Sequence, residues 1–507
     1  MSCGHTRTRV NDKLEGILKN VGLKVGRQNY TYESAGDVYT GENIYAILQA
    51  PRGDATEAIV LVAAWKTVND KFNVNGVPLA LTLARYFKRW SLWSKDIILV
   101  IPPDSRTGTQ AWVDAYHDSH DSSRVSSLPL KSGALQGAIA IDFSQEHRFE
   151  SIHIIYDGIN GQLPNLDLIN SVVNIAGGQM GMGTAIQEMW SHSDKYQDRL
   201  RTMLRGMLNQ GLGHASGPHS SFIPYHVDAV TLQPFGEGWH DEMGMGRLVE
   251  GTFRSLNNLL EHLHQSFFFY LLMHKERFVS IGTYLPSAMI LAASFTITAI
   301  SLWVKSGHQE GGSDATGIAA KPETENASSE GSTEDSTKDY STLTLSVPAV
   351  ERDLFLPLGL VAFCQFLGVV PLYIFNHMPA NYQLIKSFSL LLLGMFLSAL
   401  ATLNFSLAFL VGVMASPLSF MRPWPRHPAV RWACAAFLQL ASPTAALYSV
   451  SSYFDVSIGE VLKEAAFGWD VWACTPPSSS GVCGGPPGSW GLSLCLDSLQ
   501  PRRRLCN

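Results

Sequence analysis

Charge is scarce in this chain: Asp, Glu, Lys and Arg make up 16% of 507 residues against 46% hydrophobic, where about 25% charged is usual for soluble proteins. The shortage is concentrated after Val279, which marks that half for a membrane. No basic stripe accompanies the formal net charge of −6, so the footprint of a nucleic-acid binder is missing and no nucleic acid is expected as partner. The seven cysteines form no framework, and no Cys-x-x-Cys pair of the zinc type occurs. Cys364 and Cys434 lie in apolar runs, while Cys474, Cys483, Cys495 and Cys506 fall in the tail. A Gly-x-Ser-x-Gly nucleophile elbow is also absent. Met1 to Arg9 is polar and basic without an apolar core, so no signal peptide is expected.

What is present divides the chain. From Ala58 to Leu232 short β-rich apolar runs alternate with amphipathic segments, the pattern of βαβ units and a mostly parallel sheet. Strands are predicted at Ala58–Ala63, Asp96–Ile101, Gly137–Asp142, Ser151–Tyr156 and Asp228–Leu232, with a helix opened by Gly76 and Pro78. Asp157 to Pro164 reads as a loop after a strand, with Asn160-Gly161 as its turn. Past Gly246, the spacing of Val249, Phe253, Leu256, Leu260, Leu263 and Phe267 predicts a helix that runs into an aromatic segment and on to the membrane. The uncharged run from Phe278 to Val304 is long enough to cross roughly 30 Å of hydrocarbon.

Further spans are predicted at Leu354–Phe375, within Ser387–Phe420 and at Trp432–Phe454. The second exceeds what one span requires, which suggests a re-entrant extension ending near Pro417. Lys and Arg are too sparse in the short loops to fix the orientation. The expected division is an α/β domain over residues 1–245, a connecting helix over 246–277, a span over 278–304, a disordered linker over 305–352, further spans over 353–455 and an unstructured tail over 456–507.

The order of elements resembles the co-catalytic zinc aminopeptidases. Two metals about 3.5–4 Å apart need a dense set of carboxylates and imidazoles, one of them bridging. Here Trp65 and Lys66 stand near the place of the first ligands, Phe72 near that of the bridging Asp, and Pro102 and Pro103 where a Glu pair is needed. Only Asp142 and His219 fit their slots, so no zinc pair is expected. The plainer readings are preferred for both: Asp142 as a strand-end carboxylate capping a loop, His219 as a polar loop residue.

Longer strings carry a second resemblance. Gly41-Glu-Asn-Ile-Tyr-Ala-Ile-Leu-Gln-Ala-Pro-Arg52, Gly161-Gln-Leu-Pro-Asn-Leu-Asp-Leu168, Leu260-Glu-His-Leu-His-Gln-Ser-Phe-Phe268, Arg277-Phe-Val-Ser-Ile-Gly282 and Leu403-Asn-Phe-Ser-Leu-Ala-Phe409 are similar to the glycosylphosphatidylinositol (GPI) anchor attachment protein 1 family, non-catalytic subunits of the GPI transamidase. The resemblance implies an aminopeptidase-like luminal domain followed by a transmembrane bundle in the endoplasmic-reticulum membrane. It implies as partners a caspase-like catalytic subunit, the other transamidase subunits, the GPI lipid and the proprotein substrate. His264, Gln265 and Ser266 match the family's GPI-contacting tripeptide, with Gln265 the candidate for a divalent cation such as Mg2+. No cofactor for catalysis is implied. The family's first membrane helix and its usual last one are not seen, so a form with altered termini is expected. If the domain is luminal, Asn29 of Asn29-Tyr-Thr31 is the candidate glycosylation site. Asn326 then falls on the opposite side, and Asn404 is a sequon in form only, set in hydrocarbon.

Two rival classes are distinguishable. A membrane-anchored metallo-aminopeptidase is the alternative enzyme reading, recruiting Asp104, His117 or Asp118 beside Asp142 and His219. A solute transporter fits poorly, because the spans lack intramembrane charges and paired interrupted segments.

Overall fold

The computed structural model describes residues 2–34, 36–146, 148–187, 189, 193–213, 215–259, 268–307, 382–420, 448, 451–452 and 457–472. Helix α1 (Ser2–Val21) leads into an antiparallel hairpin of β1 (Lys24–Ser34) and β2 (Asp37–Leu48). There follow β3 (Glu57–Val62), α2 (Gly76–Arg89), β4 (Asp96–Ile101), α3 (Thr107–Tyr116), β5 (Ala134–Ile141), β6 (Phe149–Ile155), α4 (Leu166–Asn174), β7 (Gly183–Ile186), α5 (Tyr196–Leu212), β8 (Ala229–His240) and α6 (Glu242–Asn257). The eight strands form one mixed sheet in the order β1-β2-β4-β3-β5-β8-β6-β7, its central four parallel.

The parallel centre is apolar on both faces because helices cover both. Ile59, Leu61, Ile97 and Leu99 pack with Val77, Leu83 and Phe87 of α2 and Phe253 of α6. Val60, Val62, Ile98 and Val100 pack on the other side with Trp112 of α3 and Phe222. Continuous Ile/Val/Leu runs are what such doubly covered strands require, which is why β3, β4 and β5 were readable.

The hairpin β1–β2 lies outside the predicted set. Its inward positions include Gly26, Gln28 and Asn43, which break the apolar alternation. Their burial is offset by hydrogen bonds: Gln28 Nε2 donates to Ala111 O (2.9 Å) and Ser126 O (3.1 Å), and Asn43 Nδ2 donates to Gln28 Oε1 (2.9 Å) and Gly108 O (2.8 Å). Asn29 is exposed on β1, opposite Glu42, with its main-chain N–H donated to Ser126 Oγ.

The approach to the membrane differs from expectation. Helix α6 stops at Asn257, whose Oδ1 accepts from the N–H groups of Ser94 (2.9 Å) and Lys95 (3.2 Å) and so bolts the helix end to the loop before β4. Leu260, Leu263 and Phe267 lie outside the described residues. Of the aromatic segment, Phe268 and Phe269 form an exposed bend and Tyr270 opens a strand: β9 (Tyr270–His274) pairs antiparallel with β10 (Arg277–Ser280). Tyr270 is buried and its hydroxyl donates to Pro164 O (2.8 Å), so it belongs to the core and not to the head-group level. Short apolar runs such as Tyr270–Met273 are the ambiguous case for periodicity.

Because Phe278–Ser280 is taken by β10, the first long apolar helix, α7, covers Ile281–Gly307. The run Ser387–Phe420 is two helices, α8 (Tyr382–Leu403) and α9 (Phe405–Phe420), broken at Asn404. α8 lies antiparallel to α7, with Ser387 Oγ donating to Ala299 O (2.7 Å). Small residues set the spacing: a Cβ on Gly394 would sit 2.7 Å from Thr296 Oγ1 and 3.0 Å from Ala292 O. Lys386 Nζ donates to Ser419 O (2.8 Å), closing α8 and α9 into a hairpin whose tip is Asn404.

Residues 456–507 are not wholly a tail. Ile458–Trp472 forms helix α10, which returns to the α/β domain and buries Phe467, Val471 and Trp472 against the α3 side of the sheet. Arg106 sits 6.0 Å from the centroids of both Phe467 and Trp472. The predicted linker beyond residue 307, the run Leu354–Phe375, nearly all of Trp432–Phe454 and the cysteine-bearing tail lie outside the described residues.

Candidate functional site

Ligands of α/β sheets usually bind in the crevice at the carboxyl ends of the strands. In this crevice Phe72 is turned out to solvent, 64% exposed, and Lys66 sits 5.9 Å from its ring centroid. Asn73 is the residue that points in, at 2% exposure. Its Nδ2 donates to Ala64 O (3.0 Å) and Ile141 O (2.8 Å), and its Oδ1 accepts from Gly76 N (3.0 Å) and Phe143 N (2.8 Å). One amide therefore ties the ends of β3 and β5 to the start of α2. Pro102 O accepts from Trp65 N (2.9 Å), so the segments read as replacing the first ligands and the Glu pair bond each other.

Asp142 is buried at the end of β5, with Oδ2 accepting from Gln233 Nε2 (3.3 Å). Burial pushes its carboxyl up to about 6, against the pull of the Lys71 charge and a hydrogen bond from Ser144. His219 is fully buried on the turn Pro218–Ser221. Its Nε2 faces Asp157 O (3.0 Å), which can only accept, so Nε2 carries the proton and Nδ1 accepts from Thr231 Oγ1 (2.7 Å). Burial depresses this imidazole to about 4. Among the described residues the two share no hydrogen-bond partner, and His219 is a core residue, more deeply set than a polar loop position.

The other suggested ligands have different work. Asp104 caps α3, its Oδ1 accepting from Arg106 N (2.9 Å) and Thr107 N (2.5 Å) and its Oδ2 from Tyr30 (2.8 Å) and Thr107 Oγ1 (2.6 Å). His117 stacks on Tyr225 at 4.3 Å, and Asp118 pairs with Lys131 at 2.5 Å. Among the described residues no three His, Cys, Asp or Glu side chains are grouped to hold a metal ion.

A neutral buried His219 has a consequence for pH. The unfolded chain takes up its proton near the ordinary 6.5 and the folded chain only near 4, so this group's contribution to stability falls as pH drops from about 6.5 towards 4. His219→Gln keeps a donor for Asp157 O and an acceptor for Thr231, and it is expected to remove that acid-side loss. Melting temperatures of both proteins from pH 7 to pH 4 check this. Equal pH slopes would reject it.

The second concentration of chemistry is where domain and membrane helices meet. Asn404 at the α8–α9 tip donates Nδ2 to Asn160 O (3.2 Å) and Gln210 O (2.9 Å), while its Oδ1 accepts from Leu407 N (3.0 Å) as the cap of α9. Ser406 Oγ donates to Gln210 Oε1 (3.1 Å). Asn404 thus sits on the domain boundary and not in hydrocarbon, because an asparagine between two apolar helices finds its partners on the protein. Beside this contact, α5, the β9–β10 hairpin, α7 and α9 line an open cavity of about 830 Å³. His264, Gln265 and Ser266 lie outside the described residues, in the sequence between α6 and β9. The cavity and the Asn404 contact join segments far apart in sequence, and no local motif announces them.

A mixed, largely parallel α/β domain pinned to helices of membrane-crossing length and composition, Ile281–Ser306 and Gln383–Leu403, defines a membrane protein with a large extramembrane domain. Residues 40–478 match the Gaa1-like family, described as a GPI transamidase component, and the chain belongs to that family. It is similar to the GPI transamidase component gaa1 of Schizosaccharomyces pombe, 36% identical over 81% of this chain and 69% of that one. It is also similar to GAA1 of Saccharomyces cerevisiae, 34% identical over 75% of this chain and 60% of that one. Among solved structures it is similar to the LapA aminopeptidase of Legionella pneumophila, 11% identical with a TM-score of 0.33 over 51% of this chain and 64% of that one.

Proposed function

We propose that this chain is a non-catalytic membrane subunit of the GPI transamidase, which binds the GPI lipid and supports its attachment to the C-terminus of proteins. Family membership carries the reading. The engaged side chains of Asn73, His219 and Asp104 favour it over the metallo-aminopeptidase alternative. The chain sits as a multi-pass protein in the endoplasmic-reticulum membrane with its α/β domain luminal, and Asn29 is exposed on that domain as the glycosylation site. The subunits it meets are a caspase-like protease and the remaining transamidase components, and the proprotein is their common substrate.

His264, Gln265 and Ser266 contact the GPI lipid, with a divalent cation such as Mg2+ at Gln265. The support is their position: they precede the hairpin that feeds α7, where a lipid with a phosphate-bearing glycan presents its polar part to the domain. In cells lacking the endogenous subunit, Gln265→Ala is expected to lower GPI anchoring of a reporter protein while the caspase-like subunit still co-purifies. Normal anchoring overturns the site. Failure of the unaltered chain to retain the caspase-like subunit overturns the component reading.

A further inference from the structure

Helix α5 carries an apolar stripe that the α/β core leaves uncovered. Tyr196, Leu200, Leu204 and Leu208 recur every fourth residue and are 71%, 37%, 51% and 48% exposed among the described residues. A helix packed only to close the α/β core keeps its apolar face inward and a polar face outward; the buried side of α5 is Thr202, Gly206, Met207, Gln210 and Gly211, and Leu200, Leu204 and Leu208 lie uncovered. Arg199, Arg201 and Arg205 share the helix with one carboxylate, Asp198. An exposed apolar stripe beside arginines is the composition of a helix lying in the interfacial plane of a bilayer. Its surroundings agree, because α5 packs against α9 and against β9, which is joined through β10 to α7.

The cavity is the space between this helix and the bases of α7 and α9. Tyr196, Leu200 and Leu204 of that stripe line it together with Met203 and Met207, and Phe405 and Phe409 line it from α9. Arg199 and Arg277 also line it, both turned towards one carboxylate, Asp194, at 3.5 and 3.2 Å. The two guanidinium groups share Asp194 and keep donors to spare, Glu276 being the other acid on the lining, and Arg forks match phosphate oxygens. The methionine and phenylalanine wall suits flexible hydrocarbon. An apolar trough with cations near it, continuous with spans that hydrocarbon surrounds, matches a membrane phospholipid end for end.

We propose that the trough between α5, the β9–β10 hairpin and the bases of α7 and α9 holds a diacyl glycerophospholipid of the surrounding bilayer, its phosphate at Arg199 and Arg277 and an acyl chain along Met203, Met207, Phe405 and Phe409. α5 then lies in the head-group layer on the domain's side. The inference rests on α7–α9 lying in the membrane, and the bound lipid is distinct from the GPI substrate. Its role is to seal the junction that Asn404 pins.

The test uses the full chain with its partners in native membranes. Phosphatidylcholine with a photoreactive acyl chain is added, and labelled peptides are mapped. Label is expected on α5 around Met203 and Met207 and on Phe405–Phe409, above the level on the outward residues Ile290 and Ile297 of α7. Met203→Trp with Met207→Trp fills the trough and is expected to bring α5 labelling down to that outward level. Equal labelling of trough and outward face in the unaltered chain overturns the proposal, as does labelling indifferent to the filling variant. In cells that cannot complete GPI synthesis the trough label is expected to persist. Its loss there assigns the trough to GPI, overturning this inference while leaving the component reading intact, since that reading stands or falls on co-purification of the caspase-like subunit.

Discussion

Asn73→Ala is expected to lower the stability of the α/β domain by about 3–5 kcal/mol, since a buried polar group left unsatisfied costs about 1–3 kcal/mol and this one side chain serves four. The lost bonds are to Ala64 O, Ile141 O, Gly76 N and Phe143 N, two strand ends and the first turn of α2. Asn73→Asp makes a sharper test. A carboxylate still accepts from Gly76 N and Phe143 N but, once ionised, has nothing to donate to the two carbonyl oxygens. Burial and those oxygens raise its pKa, so the variant is expected to be most stable when protonated and to lose stability as pH rises above the ordinary carboxylate range near 4. Thermal unfolding of the detergent-solubilised chain at pH 5 and pH 8 reads both effects. An Asp variant with the unaltered protein's melting temperature at pH 8 would show that the amide donors do not matter.

That amide also marks the limit of what the sequence disclosed. The entry to α2 carries no period that tells which of Phe72 and Asn73 faces the crevice. The bridge between Lys66 and Phe72 turns Phe72 outward and Asn73 in. Asn73 and Asn75 before Gly76 are helix-entry residues in type, and this is the local signal for the inward amide. The parallel centre was legible because burial on both faces demands continuous apolar runs. The hairpin β1–β2 was not, because Gln28 and Asn43 are buried through partners on α3 and the loop after it, distant in sequence. α10 was hidden for the opposite reason. Its apolar face is short, and only the return of the chain to Arg106 and Tyr39 gives Phe467 and Trp472 a place to be buried.

Asn404→Ala is expected to loosen the α8–α9 hairpin from the domain by about 3 kcal/mol, since a helix N-cap contributes about 1 kcal/mol and each side-chain hydrogen bond about as much. The side chain performs both tasks at once, capping α9 through Oδ1 and holding Asn160 O and Gln210 O through Nδ2. Serine separates them: Asn404→Ser retains a cap acceptor but cannot donate to both carbonyls, so it is expected to recover only the capping part. The receiving side can be attacked independently. Gly161 has φ +72°, and a Cβ there would lie 2.4 Å from Gln210 O and 2.7 Å from Asn404 Nδ2. Gly161→Ala therefore strains its own backbone and pushes the pin out of its seat. If Asn404 couples the membrane hairpin to the domain, Asn404→Ala and Gly161→Ala should each speed amide exchange at the C-terminal end of α5 and the start of α9, while β3 and β4 exchange as before. Faster exchange confined to α9 would mean that only the cap mattered and that the domain and the hairpin are held together elsewhere.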